Sequence, residues 1–150
     1  MRELTLTFTA NTDAHGTGDV VAAPQELTNF SLRPGRGAKI VSFQLLDKGD
    51  LTAVATELVF LNADGSIGAE SAAYGPADAV AATVVGSLAV PSANAFDLAN
   101  SKLYIVKDVQ LAMCTAPTTT SLWVGLVARG NIQPAAASDL VLTIVVSDES

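Results

Sequence analysis

Alternation of apolar and polar residues is the feature that most constrains this chain. Leu4-Thr-Leu-Thr-Phe8, Lys39-Ile-Val-Ser-Phe-Gln-Leu45 and Ala53-Val-Ala-Thr-Glu-Leu-Val-Phe-Leu61 all carry it. A period of two places every other side chain on one face of an extended backbone, so each run is predicted to lay one face on a core. Further strand-like runs are Gly18-Asp-Val-Val21, Leu27-Thr-Asn-Phe-Ser-Leu32 and Val84-Val-Gly-Ser-Leu-Ala-Val90, the last stopped by Pro91. Two more pairs follow: Leu103-Tyr-Ile-Val106 with Val109-Gln-Leu-Ala-Met113, and Ser121-Leu-Trp-Val-Gly-Leu-Val-Ala128 with Asp139-Leu-Val-Leu-Thr-Ile-Val-Val146. Separated by Gly, Pro, Asn and Thr turns, they predict an all-β fold, a jelly-roll-like antiparallel β-sandwich of about eight strands.

The turns refine this expectation. Asp47-Lys48-Gly49-Asp50 lies between two alternating runs, and its glycine offers the positive φ of a tight reversal, so a hairpin is predicted there. Asn62-Ala-Asp-Gly-Ser66 predicts a second turn, leading into a small-residue loop through Gly68, Gly75 and Pro76. Pro76-Ala-Asp-Ala-Val-Ala-Ala82 is the one stretch read as helical, one or two turns covering the end of a sheet. Residues 92–100 read as loop.

At 150 residues the expectation is a single β-sandwich domain over residues 1–150, with enough chain to bury a core. Apolar residues make up 49% and charged residues 15%, far from the regime of disorder. Aromatics are only 5%, so the core is expected to be built from small aliphatic contacts, with subunit contacts adding to it. The net charge of −7 opposes a main task of neutralising phosphates, and no direct nucleic-acid partner is expected. Residues 80–90 are broken by Thr83, Gly86 and Ser87 and fall well short of the ~20 apolar residues of a membrane span. A soluble chain without a membrane partner is expected. Its first eight residues read as a strand rather than a secretory leader. No fixed-period repeat or charge block occurs.

Residues that could do chemistry are sparse. The single Cys114 lies in Leu111-Ala-Met-Cys-Thr115, where a thiol is expected to pack as a small buried hydrophobe. His15 stands between Asp13 and Asp19, too few donors for a zinc site, and is expected in a solvated loop. Asn62 to Ser66 lacks the spacing of an EF-hand, whose bidentate Glu would fall at Ala73. A weak calcium site using Asp47 or Asp50 stays open, because loops at one end of a sandwich converge. Trp123 lies within an apolar run and is expected in the core. Asn29-Phe-Ser31 matches a glycosylation acceptor, a match that means little without a secretory signal. There is no nucleophile elbow, phosphate loop or Cys-x-x-Cys pair. No catalytic residue, cofactor or metal ligand is therefore assigned, and an enzyme is not expected.

Arg33-Pro-Gly-Arg36-Gly-Ala-Lys39 concentrates three of the eight basic residues. As backbone it is a turn between strands. As a surface it is a small positive knob, and guanidinium forks pair well with carboxylates on a partner. Arg33, Arg36 and Lys39 are the candidate partner-interface residues.

Several segments, in order, resemble a family. They are Gly18-Asp-Val-Val21, then Gly37-Ala-Lys-Ile-Val-Ser-Phe-Gln-Leu-Leu-Asp47, then Ala55-Thr-Glu-Leu-Val-Phe-Leu-Asn62. Late in the chain come Ser121-Leu-Trp-Val-Gly-Leu-Val-Ala-Arg-Gly130 and Leu140-Val-Leu-Thr-Ile-Val145. The arrangement resembles small head decoration, or cement, proteins of tailed bacteriophages, from about Gly18 onward, with residues 65–100 matching least. The resemblance implies a non-enzymatic virion protein on the head exterior, assembled in the host cytoplasm. Its implied partners are the major capsid protein and its own copies, as a homotrimer. Two other readings are weighed. A carbohydrate-binding or host-attachment module of a tail or fibre would need an exposed aromatic, with Trp123, Tyr74 and Tyr104 as candidates. A cupin-type metalloenzyme would need several histidines, and this chain has one.

Overall fold

The computed structural model describes residues 1–148. Its strands are β1 Arg2–Thr7, β2 Val20–Leu27, β3 Gly37–Asp47, β4 Thr56–Leu61 and β5 Val84–Val90, followed by β6 Ala95–Asp97, β7 Lys102–Val106, β8 Leu111–Cys114, β9 Leu122–Ala128 and β10 Leu140–Asp148. A short helix, α1, covers Asp78–Ala81, and a 3-10 turn covers Ser92–Asn94. The helix lies where Pro and Ala predicted it.

Two antiparallel sheets stack face to face. One runs β1-β10-β3-β7-β6, with β8 also on β3, and the other runs β2-β9-β4-β5. The pairings are nested: β1 with β10, β2 with β9, β3 with β7 and β8, and β4 with β5. The chain thus behaves as one long antiparallel ribbon folded over on itself, which is the jelly roll. The strand count exceeds eight because one position is shared. β7 pairs residues 43–47 of β3 and β8 pairs residues 37–40, with Asp108 at φ 57° breaking the run between them, and β6 adds an edge.

Alternation explains the core. Along β3, Ala38, Ile40, Phe43 and Leu45 point inward, and along β10 Leu140, Leu142, Ile144 and Val146 do the same. They meet Leu58, Phe60, Leu122, Val124 and Leu126 from the opposite sheet, with Phe8 and Phe30 closing the ends. Fully burying each such side chain is worth about 1.5–3 kcal/mol. A bulge at Val41 of β3, between the pairs Val145–Ser42 and Val146–Ile40, keeps Ile40 inward opposite Val146. Pro24 lies in β2, an edge strand, where a missing N–H is tolerated and the register against β9 slips.

Several expectations need correction. Residues 47–50 do not make a hairpin: β3 and β4 belong to different sheets, and the connection crosses from one to the other. The positive φ is taken by Asp50, at 51°, not by Gly49. Gly49 is needed for space, since a Cβ there would lie 2.9 Å from an Asp139 carboxylate oxygen. Of residues 27–32 only Leu27 is strand; the rest turn, with Asn29 at φ 57°. Within residues 92–100, read as loop, lies β6. Cys114 is exposed, because Met113 takes the inward position of β8 and its neighbour faces out. Asn62–Ser66 does not close a tight hairpin. It opens a long excursion, residues 62–83, before β5 returns beside β4, and the Asn62 N–H donating to the Thr83 carbonyl at 2.9 Å closes its base.

That excursion covers the outer face of the four-stranded sheet. Ile67 is fully buried there with Val20, Val59, Leu61 and Val127, and Tyr74, Val80, Val84 and Trp123 pack around them. Trp123 is therefore half-buried under this cover rather than in the sandwich interior. Gly125 makes the docking possible: a Cβ there would fall 2.6 Å from Ile67 Cδ1. Gly68, at φ +124°, turns the segment within 2.8 Å of the Ala73 carbonyl from its own Cβ position, a conformation open only to glycine.

Candidate partner interface

The β2–β3 connection, residues 28–36, carries two of the three predicted interface residues. It is held by a dense set of bonds. Phe30 is fully buried and anchors it to the core. The Ser31 hydroxyl donates to the Arg33 carbonyl at 2.8 Å and lies 3.2 Å from the Thr115 hydroxyl. The Ser31 N–H donates to Thr120 and the Gly35 N–H to Ala116, so the loop is tied to residues 115–120 beside it. Ser31 is itself buried, its hydroxyl committed.

Arg2 locks the other side. Its guanidinium donates to the carbonyls of Asn29 and Phe30, at 2.6 and 2.9 Å, and to both carboxylate oxygens of Asp148. The side-chain hydrogen bond with Arg2 holds the Asp148 carboxyl below its ordinary range, and the same bond raises Arg2. The pair spans the two ends of the described chain and the loop between them.

On this platform Leu32 stands 66% exposed, with Arg33, Pro34 and Arg36 exposed beside it. The Arg36 N–H donates to the Arg33 carbonyl at 3.2 Å, so the two arginines share one turn. Lys39 is separated from them: it is half-buried on β3, between Ser147 of β10 and Ala112 of β8. Among the described residues the ion pairs are Arg2–Asp148, Lys102–Asp50 and Arg129–Glu57, and none uses Arg33, Arg36 or Lys39. The structure brings together two of the three cations and adds Leu32, an apolar neighbour that composition alone did not mark.

The loops at the opposite end hold the acidic and histidine residues. His15 is buried, not solvated: its backbone pairs with Ile132 in both directions and Nε2 lies 3.0 Å from the Asn11 carbonyl. The cause is this bridge between two loops, which draws the imidazole under the surface. Asp19 accepts the Gly16 N–H and Asp13 accepts from Ser71, so neither carboxylate faces the ring as a co-ligand. Asp47 is buried, and burial raises its pKa although Gly49 and Leu51 donate their N–H groups to it. Asp50 is held by Lys102 at 2.8 Å. Among the described residues, no group of three His, Cys, Asp or Glu is placed to hold a metal ion. No helix among them is long and apolar enough to cross a membrane.

None of the three aromatics named as sugar platforms stands free. Tyr104 is 4% exposed and its hydroxyl accepts the Val54 N–H, with burial raising its pKa; Tyr74 and Trp123 pack into the covered outer face. The exposed aromatic is Phe96, at 60%, with Leu98 at 44% beyond it. Sequence reading missed it because its segment lacked a strand pattern.

No family model and no curated protein matches the chain. Among solved structures, the chain is similar to the VP2 subviral particle of infectious bursal disease virus, at 11% identity and a TM-score of 0.31. It covers 99% of this chain and 38% of that one. The structure of the Gx strain of the same virus gives 10% identity and a TM-score of 0.27, over 99% and 37%. The chain thus spans less than two fifths of the length of these structures.

Proposed function

We propose that this chain is a non-enzymatic structural protein of a tailed-phage virion, a decoration or cement subunit that binds the outside of the head and stabilises the shell. The observation that carries the reading is the rigid end of the jelly roll: Leu32 and two arginines are held out from a platform that Phe30, Ser31 and Arg2 fix in place. A fixed apolar residue flanked by guanidiniums suits a protein surface bearing carboxylates, and an anchored loop loses little entropy on binding. The resemblance of the ordered segments to those of the decoration family supports the same reading. A capsid lattice repeats one surface many times, so an oligomeric subunit gains avidity from modest single contacts. Binding to the assembled shell and not to its dissociated parts stabilises the shell by mass action.

Quantitative mass spectrometry of purified particles from the source of this chain tests the proposal. A copy number comparable to the coat subunit is expected. A few copies per particle would point instead to an attachment module, and absence would refute the virion reading. Reversing Arg33, Arg36 and Lys39 together to Glu is expected to abolish head binding, and unchanged binding would remove them from the interface.

A further inference from the structure

At one end of the sandwich interior, polar side chains stand where alternation calls for apolar ones. The phase that buries Ala38, Ile40, Phe43 and Leu45 on β3 also turns Asp47 inward. Cross-strand register sets Tyr104 of β7 beside Leu45 and Leu140 of β10 beside Asp47. From the opposite sheet, β4 turns Thr56 inward in phase with Leu58 and Phe60. Asp47, Thr56 and Tyr104 are at most 4% exposed, and together with apolar neighbours such as Val54 and Ile132 they line one small cavity. Their hydrogen bonding is unfinished. The buried Thr56 hydroxyl meets no partner among the described residues, and a buried hydroxyl left so opposes folding. The Tyr104 hydroxyl accepts the Val54 N–H at 3.0 Å, which leaves its own proton to give. Each Asp47 oxygen accepts one N–H, from Gly49 at 2.9 Å and from Leu51 at 3.2 Å, and keeps capacity for a further bond.

From this geometry we infer that the cavity is a binding site for a single internal water molecule, held by the Thr56 hydroxyl from one sheet and by the Tyr104 hydroxyl and Asp47 carboxyl from the other. Size and chemistry select that ligand. The space open to a water centre is about 10 Å3, at the lower edge of the roughly 10–15 Å3 that one water needs, and such a water needs about two to four polar partners. Anything larger is excluded. A metal ion is poorly served, because among the described residues no group of three His, Cys, Asp or Glu is placed to hold one, and two of the three polar groups here bring hydroxyl protons. Water accepts from a hydroxyl and donates to a carboxylate at once, so it completes the set. Burial raises the Asp47 pKa, and a water that turns serves the charged and the neutral carboxyl alike. The bound water thereby ties the two sheets together where residues 47–56 cross between them.

The inference stands apart from the virion reading, since it concerns the interior of the free protein. High-resolution crystal structures of the full chain and of its Thr56→Val and Thr56→Ser variants test it, with urea unfolding of the same proteins. Wild type is expected to hold one ordered water within about 2.5–3.0 Å of Thr56 Oγ1 and in reach of Tyr104 and Asp47. Thr56→Ser is expected to keep that water. Thr56→Val preserves the shape, removes the hydroxyl, and is expected to lose the water and unfold at a lower urea concentration. The opposite shift is diagnostic: if the hydroxyl has no partner in solution, Thr56→Val relieves a buried polar group and raises the midpoint, which overturns the proposal. So does a wild-type structure without a water at that position, one with Thr56 Oγ1 bonded to a protein acceptor instead, or a water that stays in place in Thr56→Val. Should Thr56→Val fail to fold, the wild-type and Thr56→Ser structures decide on their own.

Discussion

The two outer faces of this sandwich are built from the same kind of strand and end differently. Over β2-β9-β4-β5, residues 62–83 fold back and bury Val20, Val59, Leu61 and Val127 beneath Ile67. On the outer face of β1-β10-β3-β7-β6, Val141, Leu46 and Leu103 are part-exposed and Phe96 is exposed. The difference teaches that apolar residues on the outside of a strand are not a reading error. On one face they are the seat of a cover carried by the chain, and on the other they stay part-exposed. Part of a small-residue core's stability is thereby placed in contacts beyond the sandwich interior.

Ile67→Ala should have the largest effect. It removes a fully buried side chain from the small covered cluster and is expected to destabilise by about 2–5 kcal/mol in chemical denaturation, with earlier proteolysis within residues 62–83. An effect below about 0.5 kcal/mol, the range of ordinary surface substitutions, would mean that the covered face is no core and the contrast fails. Gly125→Ala comes next. Its Cβ meets Ile67 at 2.6 Å, so overpacking of about 1–3 kcal/mol is expected; in an Ile67→Ala background the penalty should shrink, because the clashing carbon is gone. Leu46→Thr on the part-exposed face should change stability least, within about 0.5 kcal/mol. A larger loss would show that the face is packed.

The buried Asp47 sharpens the picture from the sandwich end. Its pKa is raised in the folded state by burial, so its neutral form is the one folding favours. The stability this contributes is present at low pH and is lost as pH rises through the raised value. Asp47→Asn is therefore expected to be less destabilising at pH 7 than at pH 4, since it mimics the neutral form while keeping an acceptor for Gly49. A pH-independent difference in urea titrations would contradict the direction.

Much of the fold was legible because alternation reports burial directly. The alternating runs at residues 4–8, 39–45 and 53–61 all lie largely on strands, whereas β2 does not alternate and was read only at its two ends. Partners were less legible. Alternation at residues 39–45 and 53–61 says that each strand has an inner face, not that they belong to different sheets, so a hairpin was the natural and mistaken reading. Cys114 misled because an apolar neighbourhood in sequence ignores phase: Met113 takes the inward position. His15 misled in the opposite sense, since nothing local signals its backbone bridge to Ile132 across the fold. At the candidate interface Arg33 and Arg36 were readable as a charged turn. Leu32 was not, because it looks like the end of a strand until Asn29 breaks it. Gly125 was the one signal of the covered face: a glycine inside an apolar strand marks close approach of another element.

The most direct test of the contrast is hydroxyl-radical footprinting of the full chain. Phe96, Leu103 and Leu46 should be oxidised more readily than Ile67, which the cover buries. Oxidation of Ile67 as high as that of Phe96 and Leu103 would contradict the account, because the two outer faces would then be equally open.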